Sequence, residues 1–183
     1  MFFQCIKFNQ TLEQWVTKNL INMNSMFSGC VNLNKPVHKY TEKVNSMQFV
    51  FKGCTQWNQE LNWNTENVTN MKSCFNNCTN FNKQLNWNTR NVTNMSYMFR
   101  GCTNFNKVLS LNTKGVTDMT KMMSGCTSLE EFTINEIWMK SLENTNNTDA
   151  FENTHIKKIK YGFYSQNQNY IDRMRSAQLI YEF

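Results

Sequence analysis

The chain has 183 residues and a net charge of +6, and Met, Phe and Trp (12, 14 and 5 residues) carry much of its apolar content. That length holds one domain with a sizeable core or one short repeat array. The modest charge is no more than solubility requires, and the densest basic run is HIKKIKY, 155–161. The sequence contains no apolar run of about eighteen residues, which argues against a membrane-spanning helix. MFFQCIKFNQTLEQW lacks the cationic and apolar regions of a signal peptide, so export by default is not expected.

Residues 1–14 read as a partial N-terminal coil, because CIKFNQTL (5–12) matches CTNFNKQL (78–85). Residues 15–134 then repeat with a step of 24: Met23, Met47, Met71, Met95 and Met119, and in parallel Cys30, Cys54, Cys78, Cys102 and Cys126. The other apolar positions follow in columns, among them Leu20–Val44–Val68–Val92–Val116, Phe27–Phe51–Phe75–Phe99–Met123 and Leu33–Trp57–Phe81–Phe105–Leu129. A fixed period with column-wise apolar identity predicts stacked coils, in which each coil buries the apolar edge of its neighbour.

Within a coil, the residue before each column Met is Asn22, Ser46, Asn70, Asn94 or Asp118, all good helix N-caps. Six residues after the Met comes Gly29, Gly53, Asn77, Gly101 or Gly125, residues that adopt the left-handed stop conformation cheaply. The spacing predicts a helix of one to two turns, as at 95–100, too short to be stable without packing. Leu61-Asn62-Trp63, Leu85-Asn86-Trp87 and Leu109-Ser110-Leu111 alternate apolar and polar, which predicts short strands pairing in parallel from coil to coil. The Asn-Thr pairs after them suit turns. Residues 135–161 read as a divergent sixth coil with Thr154 in the Cys column, and 162–183 as a capping amphipathic helix.

WNTRNVTNMSYMFRGCTNFNKVL, 87–109, resembles almost position for position the repeat of the BspA-like leucine-rich repeat proteins. The likeness is closest to the subset built on the bacterial surface protein 26-residue repeat, a Mycoplasma-type family of unknown function. It covers roughly residues 5–134 and departs in step length, in Asn for Asp after Trp, and in the tail after 135. The expected fold is thus an α/β repeat solenoid of about five 24-residue coils, leucine-rich-repeat-like, with a parallel strand ladder on one face and short helices on the other. The resemblance implies binding or adhesion, in surface proteins or in large DNA viruses, and no shared catalytic residue.

The chemistry-bearing residues favour the same reading. Seven cysteines invite disulfides, but side chains stacked in parallel hold their Cβ atoms about 5 Å apart, wider than the roughly 3.8 Å a disulfide prefers. Zinc at Cys74 and Cys78 lacks paired histidines, and a catalytic thiol has only His38 and His155 as candidate bases. Buried free thiols are expected instead. No Gly-rich phosphate loop is present, and no cofactor is expected. The column Lys18, Glu42, Glu66, Arg90, Lys114 mixes signs, which argues against a continuous nucleic-acid track. Asn67-Val68-Thr69 and Asn91-Val92-Thr93 are glycosylation sequons that the repeat itself explains.

What remains is surface. The outward strand positions, His38, Asn62, Asn86 and Ser110, with Tyr40, Asn64, Asn88 and Asn112 beside them, form the candidate protein-binding face. Lys157, Lys158 and Lys160 form a candidate basic patch. The expected activity is non-enzymatic: a protein-interaction or assembly module, set in a virion or cell interior by the missing signal and the free thiols. A cell-surface adhesion protein is the alternative.

Overall fold

The computed structural model describes residues 1–134, 138 and 149–161. Each 24-residue repeat lies in register on the next. Single parallel bridges join Asn22 to Ser46, Ser46 to Asn70, Asn70 to Asn94 and Asn94 to Asp118. Two strands, β1 (Glu131–Ile134) and β2 (Lys158–Tyr161), pair in parallel with Phe132 opposite Ile159.

The short helices expected after Asn94 and its equivalents are not formed; those segments are runs of turns. In 95–102, Met98 N–H donates to the Met95 carbonyl and Cys102 N–H to that of Phe99, at 3.1 and 2.9 Å. Tyr97 and Gly101, third in these turns, have φ of 58° and 72°, the pattern of a type II turn. The N–H groups of Met95, Tyr97, Phe99 and Gly101 point out of the segment, to the carbonyls of Asp118, Thr120, Met122 and Ser124 at 2.8–2.9 Å. The physical reason is donor supply. A two-turn helix would close its N–H groups on itself and remain marginal. The turns send every second N–H to the next repeat, where stacking makes the bond cooperative. Asn22, Asn70, Asn94 and Asp118 still cap, each accepting the N–H two residues on at 2.7–3.0 Å.

Nor does a strand ladder run through Leu61-Asn62-Trp63 and its equivalents. Side chains alternate as expected, with Leu61, Trp63, Leu85 and Trp87 buried and Asn62, Asn64, Asn86 and Asn88 exposed. Yet no backbone hydrogen bond joins 59–65 to 83–89. Indole N–H groups bridge the repeats instead: Trp63 Nε1 donates to the His38 carbonyl at 2.8 Å and Trp87 Nε1 to that of Leu61 at 3.1 Å. Beside them the buried hydroxyls of Thr41, Thr65 and Thr89 donate to the carbonyls of Asn64, Asn88 and Asn112 at 2.9–3.0 Å. Among the described residues, strand geometry appears only at β1 and β2.

The core is a set of stacked columns. Phe2, Phe27, Phe51, Phe75 and Phe99 pile ring on ring with centroids 5.5–5.7 Å apart. Trp57, Phe81 and Phe105 stack against this pile at 4.3–4.8 Å. Each such ring contributes roughly 1.5–3 kcal/mol by burial. Each stacked pair adds on the order of 0.5–1.5 kcal/mol.

The cysteine column has a polar job as well as an apolar one. The thiols of Cys54, Cys78, Cys102 and Cys126 donate to the carbonyls of Phe27, Phe51, Phe75 and Phe99 in the preceding repeat, at 2.9–3.2 Å. All seven cysteines are free; six are buried and Cys5 is exposed. Burial pushes the thiols up, Cys30 to about 11 and Cys126 to about 12, so they stay protonated. Alkylation of the native protein is therefore expected to modify Cys5 alone, and of the unfolded protein all seven. Several thiols reacting natively at the rate of Cys5 would contradict the burial.

A second ladder is built from asparagine. The side-chain oxygens of Asn9, Asn34, Asn58 and Asn82 accept the backbone N–H of Asn34, Asn58, Asn82 and Asn106 at 2.9–3.0 Å, and Asn106 does the same for Glu130 at 3.3 Å. Each amide thus satisfies a donor that no backbone carbonyl reaches. Beyond 129, Met123 and Gly125 N–H donate to the carbonyls of Ala150 and Glu152, so 149–152 rests on the fifth repeat. Trp138 is buried, its ring edge-on to Phe132 at 5.2 Å. The rest of 135–148, and the expected capping helix at 162–183, lie outside the described residues.

Candidate protein-binding face

The polar strip expected on the Leu-x-Trp side is present through three repeats. Asn62, Asn86 and Ser110 are exposed, as are Asn64 and Asn88, while Asn112 is half-buried. The buried Trp63, Trp87 and Leu111 lie beneath these residues. Asn64, Asn88 and Asn112 turn their side-chain oxygens inward, accepting the N–H of Glu66, Arg90 and Lys114 at 3.0, 3.3 and 3.0 Å. The oxygens accept in these turns, and each of these amides also carries an NH2 donor, so the exposed residues offer a row of donors. An acceptor-rich, extended ligand suits such a row better than a donor-rich one.

His38 does not belong to that strip. It is 1% exposed, and its ring stacks on Trp63 at 5.7 Å and tilts against Phe27 at 6.4 Å. In the first repeat the alternation slips by one: Val37 and His38 are both buried and Lys39 is exposed. The ring takes the place that Trp63 and Trp87 take above it, because an imidazole continues the aromatic pile and a lysine cannot. Tyr40 is half-buried and faces the ammonium groups of Lys18 and Lys39 at 5.7 and 5.5 Å.

The basic patch is partly neutralised. Lys157 reaches Glu130 at 2.7 Å and Lys158 reaches Glu131 at 4.0 Å, and both lysines are exposed. The Lys157 ammonium holds the Glu130 carboxyl below the usual carboxylate range. Lys160 lies in β2, and its backbone pairs opposite Thr133.

A family described as "Mycoplasma protein of unknown function, DUF285" matches residues 1–86 and 61–168, nearly the whole chain. The chain belongs to this DUF285 family. No curated protein and no solved structure matches it.

In this DUF285 protein the motif residues are spent on construction. The column Met, Phe, Val and Cys residues fill the core, the Asn or Asp before Met23, Met71, Met95 and Met119 caps a turn, and Gly101 and its equivalents take left-handed backbone. The asparagine ladder at Asn34, Asn58, Asn82 and Asn106 escaped the sequence reading, although its 24-residue column was a usable signal.

Buried His38 has a consequence for pH. Neither ring nitrogen has a hydrogen-bond partner, and burial lowers its pKa from the ordinary 6.5. The folded state therefore keeps the ring neutral where the unfolded chain takes up a proton. Stability is expected to be flat above about pH 6.5 and to fall as pH drops below it, by at most about 1.4 kcal/mol per pH unit for one proton. Urea melts between pH 5 and 7.5 check this. His38→Phe should remove the slope, and an unchanged slope in that variant would assign it elsewhere.

Proposed function

We propose that this DUF285 protein is a non-enzymatic protein-interaction or assembly module. Its repeats wind as a solenoid whose outward amide strip docks an extended, acceptor-rich segment of a protein partner. The observation that carries the reading is the repeated outward array Asn62–Asn64, Asn86–Asn88, Ser110–Asn112, which stands over the buried Trp63, Trp87 and Leu111. The groups that could do chemistry are committed elsewhere. The column thiols are buried donors to phenylalanine carbonyls, His38 is sealed in an aromatic stack, and Glu130 is tied to Lys157. Free thiols favour a reducing interior or a virion as the setting, and a large DNA virus component fits that; cell-surface adhesion is the alternative.

The test is a binding measurement on the partner recovered with the intact chain from its native source. Asn62→Ala, Asn64→Ala and Asn86→Ala together should weaken binding at least tenfold, about 1.4 kcal/mol. Charge reversal at Lys157 and Lys158 should weaken it less, and salt should mask that part. Wild-type affinity in the triple variant would remove the strip as the docking surface.

A further inference from the structure

The turn segments carry two aromatic residues that the fold does not use. The left-handed position in mid-segment holds Phe49 in the second repeat and Tyr97 in the fourth, both at φ 58°. Bulky side chains are unfavourable on that backbone, and Ser25, Ser73 and Lys121 make the same turn without a ring. Neither ring joins the core. Both are half-buried, while Phe51 and Phe99, two residues on, fill the aromatic pile. A backbone outlier that packing does not explain points to function.

Cations flank the two rings. Lys52 Nζ lies 5.6 Å from the centre of the Phe49 ring and Lys72 Nζ 6.0 Å from that of Tyr97. Arg100 follows Tyr97 at the position that Lys52 holds after Phe49. Lys52 and Arg100 are exposed and Lys72 is half-buried. The segments 46–53, 70–77 and 94–101 contain no Asp or Glu, and none of the three cations forms a salt bridge among the described residues. Arg90, Lys121 and Lys157, by contrast, each face a carboxylate. Asp149 and Glu152, which follow in the stack, are bound to Lys121 at 3.6 and 3.1 Å; Glu152 is held chiefly by Lys121 and only weakly by Arg100.

The spacing selects a ligand. One repeat advances the core pile by 5.5–5.6 Å, ring centre to ring centre. Phe49 and Tyr97 are two repeats apart, roughly 10 Å along the stack. Ser73 between them is buried and puts no ring in the interval. Stacked bases of one strand rise about 3.4 Å each, so the interval spans about three base steps. A run of about four nucleotides then places its outer bases against the two rings and its three linking phosphates beside three cations. A duplex keeps its base faces stacked inside and offers the rings nothing. An acidic peptide would satisfy the cations and give the rings no flat partner.

We propose that the turn face of the second to fourth repeats binds a short stretch of single-stranded nucleic acid. Phe49 and Tyr97 stack on bases, and Lys52, Lys72 and Arg100 take the phosphates. In the free chain the two lysine ammonium groups rest over the rings. On binding, their flexible stems swing them to the phosphates and the ring faces pass to the bases. The mixed-sign column from Lys18 to Lys114 takes no part. Neither do the amide strip, Lys157 and Lys158, so this site stands or falls separately from the proposed protein partner.

Anisotropy of a labelled single-stranded hexathymidylate, titrated with the full chain, tests this. Wild type should bind saturably at low salt, with log K falling against log salt at a slope of about −2, from three phosphates at about 0.7 each. Phe49→Ala with Tyr97→Ala should weaken binding at least tenfold, and Tyr97→Phe alone should bind as wild type. Lys52→Gln with Lys72→Gln, at positions outside the core, should bring the slope to about −0.7. Charge reversal at Lys157 and Lys158, and the triple asparagine variant, should leave affinity unchanged. No saturable binding by wild type, or wild-type affinity in the double alanine variant at an unchanged melting temperature, would overturn the proposal. So would equal affinity for a duplex of matched phosphate count. Equal displacement of the strand by poly-glutamate would also overturn it, and would assign the face to an acidic protein segment.

Discussion

Phe75→Ala is expected to cost about 3–5 kcal/mol of stability, the range for truncating a large buried aromatic. Phe75 is fully buried and touches rings on three sides: Phe51 at 5.6 Å, Phe99 at 5.5 Å and Phe81 at 4.3 Å. Repeats above and below are pinned by four turn hydrogen bonds each, such as Phe51 N–H to Cys74 and Phe75 N–H to Met98, so the cavity cannot collapse by sliding one repeat onto the next. Denaturant melts give the value. Asn62→Ala, at an exposed position, should cost well under about 1 kcal/mol in the same assay. Equal losses would mean that the assignment of inner and outer faces is wrong.

Gly101→Ala should cost about 2–3 kcal/mol, more than the same change at Gly53. Both glycines have positive φ, 72° and 74°, where a Cβ costs roughly 1–2 kcal/mol. A Cβ on Gly53 meets nothing nearer than the Gly29 backbone at 3.9 Å, so the backbone term stands alone there. A Cβ on Gly101 would lie 2.2 Å from Asn77 Oδ1 and 3.3 Å from Asn77 Cγ. Asn77 holds the equivalent glycine position one repeat earlier, at φ 59°, and drapes its amide over Gly101. Moving that amide off its rotamer adds on the order of 0.5–1.5 kcal/mol. Asn77→Gly should abolish the surplus, bringing the double variant down to the Gly53→Ala cost. Additive losses in this double-mutant cycle would show that the two positions do not touch.

The columns of the core were legible in the sequence because burial repeats with the chain: Met71, Phe75, Cys78 and Phe81 are each fully buried. The conformation between them was not. Capping residues and glycines at a fixed spacing suit a short helix and a turn run equally, since both want an Asx oxygen at the start and a left-handed residue at the end. What separates them is the left-handed backbone in mid-segment, and it falls on Ser25, Phe49, Ser73, Tyr97 and Lys121, none of them a residue type that signals positive φ. Stacking enforces it, and stacking is invisible to local propensity. The alternation of inner and outer faces is legible where the repeat is regular, at the exposed Asn62 and Asn86. It was misread at His38, where a one-residue slip traded lysine for imidazole under Trp63. The thiol donors were anticipated only as small buried side chains. Their acceptors, the phenylalanine carbonyls of the preceding repeat, belong to a register that the sequence does not spell out.

The turn segments hydrogen-bond from repeat to repeat, and amide NMR tests that most directly. For 95–101, the amide protons of Met95, Tyr97, Phe99 and Gly101 should exchange slowly and show nuclear Overhauser contacts to Asp118, Thr120, Met122 and Ser124, respectively. Tyr97 should carry the coupling of a left-handed residue. Contacts confined to positions three and four apart within 95–101, with helical couplings at Tyr97, would contradict it.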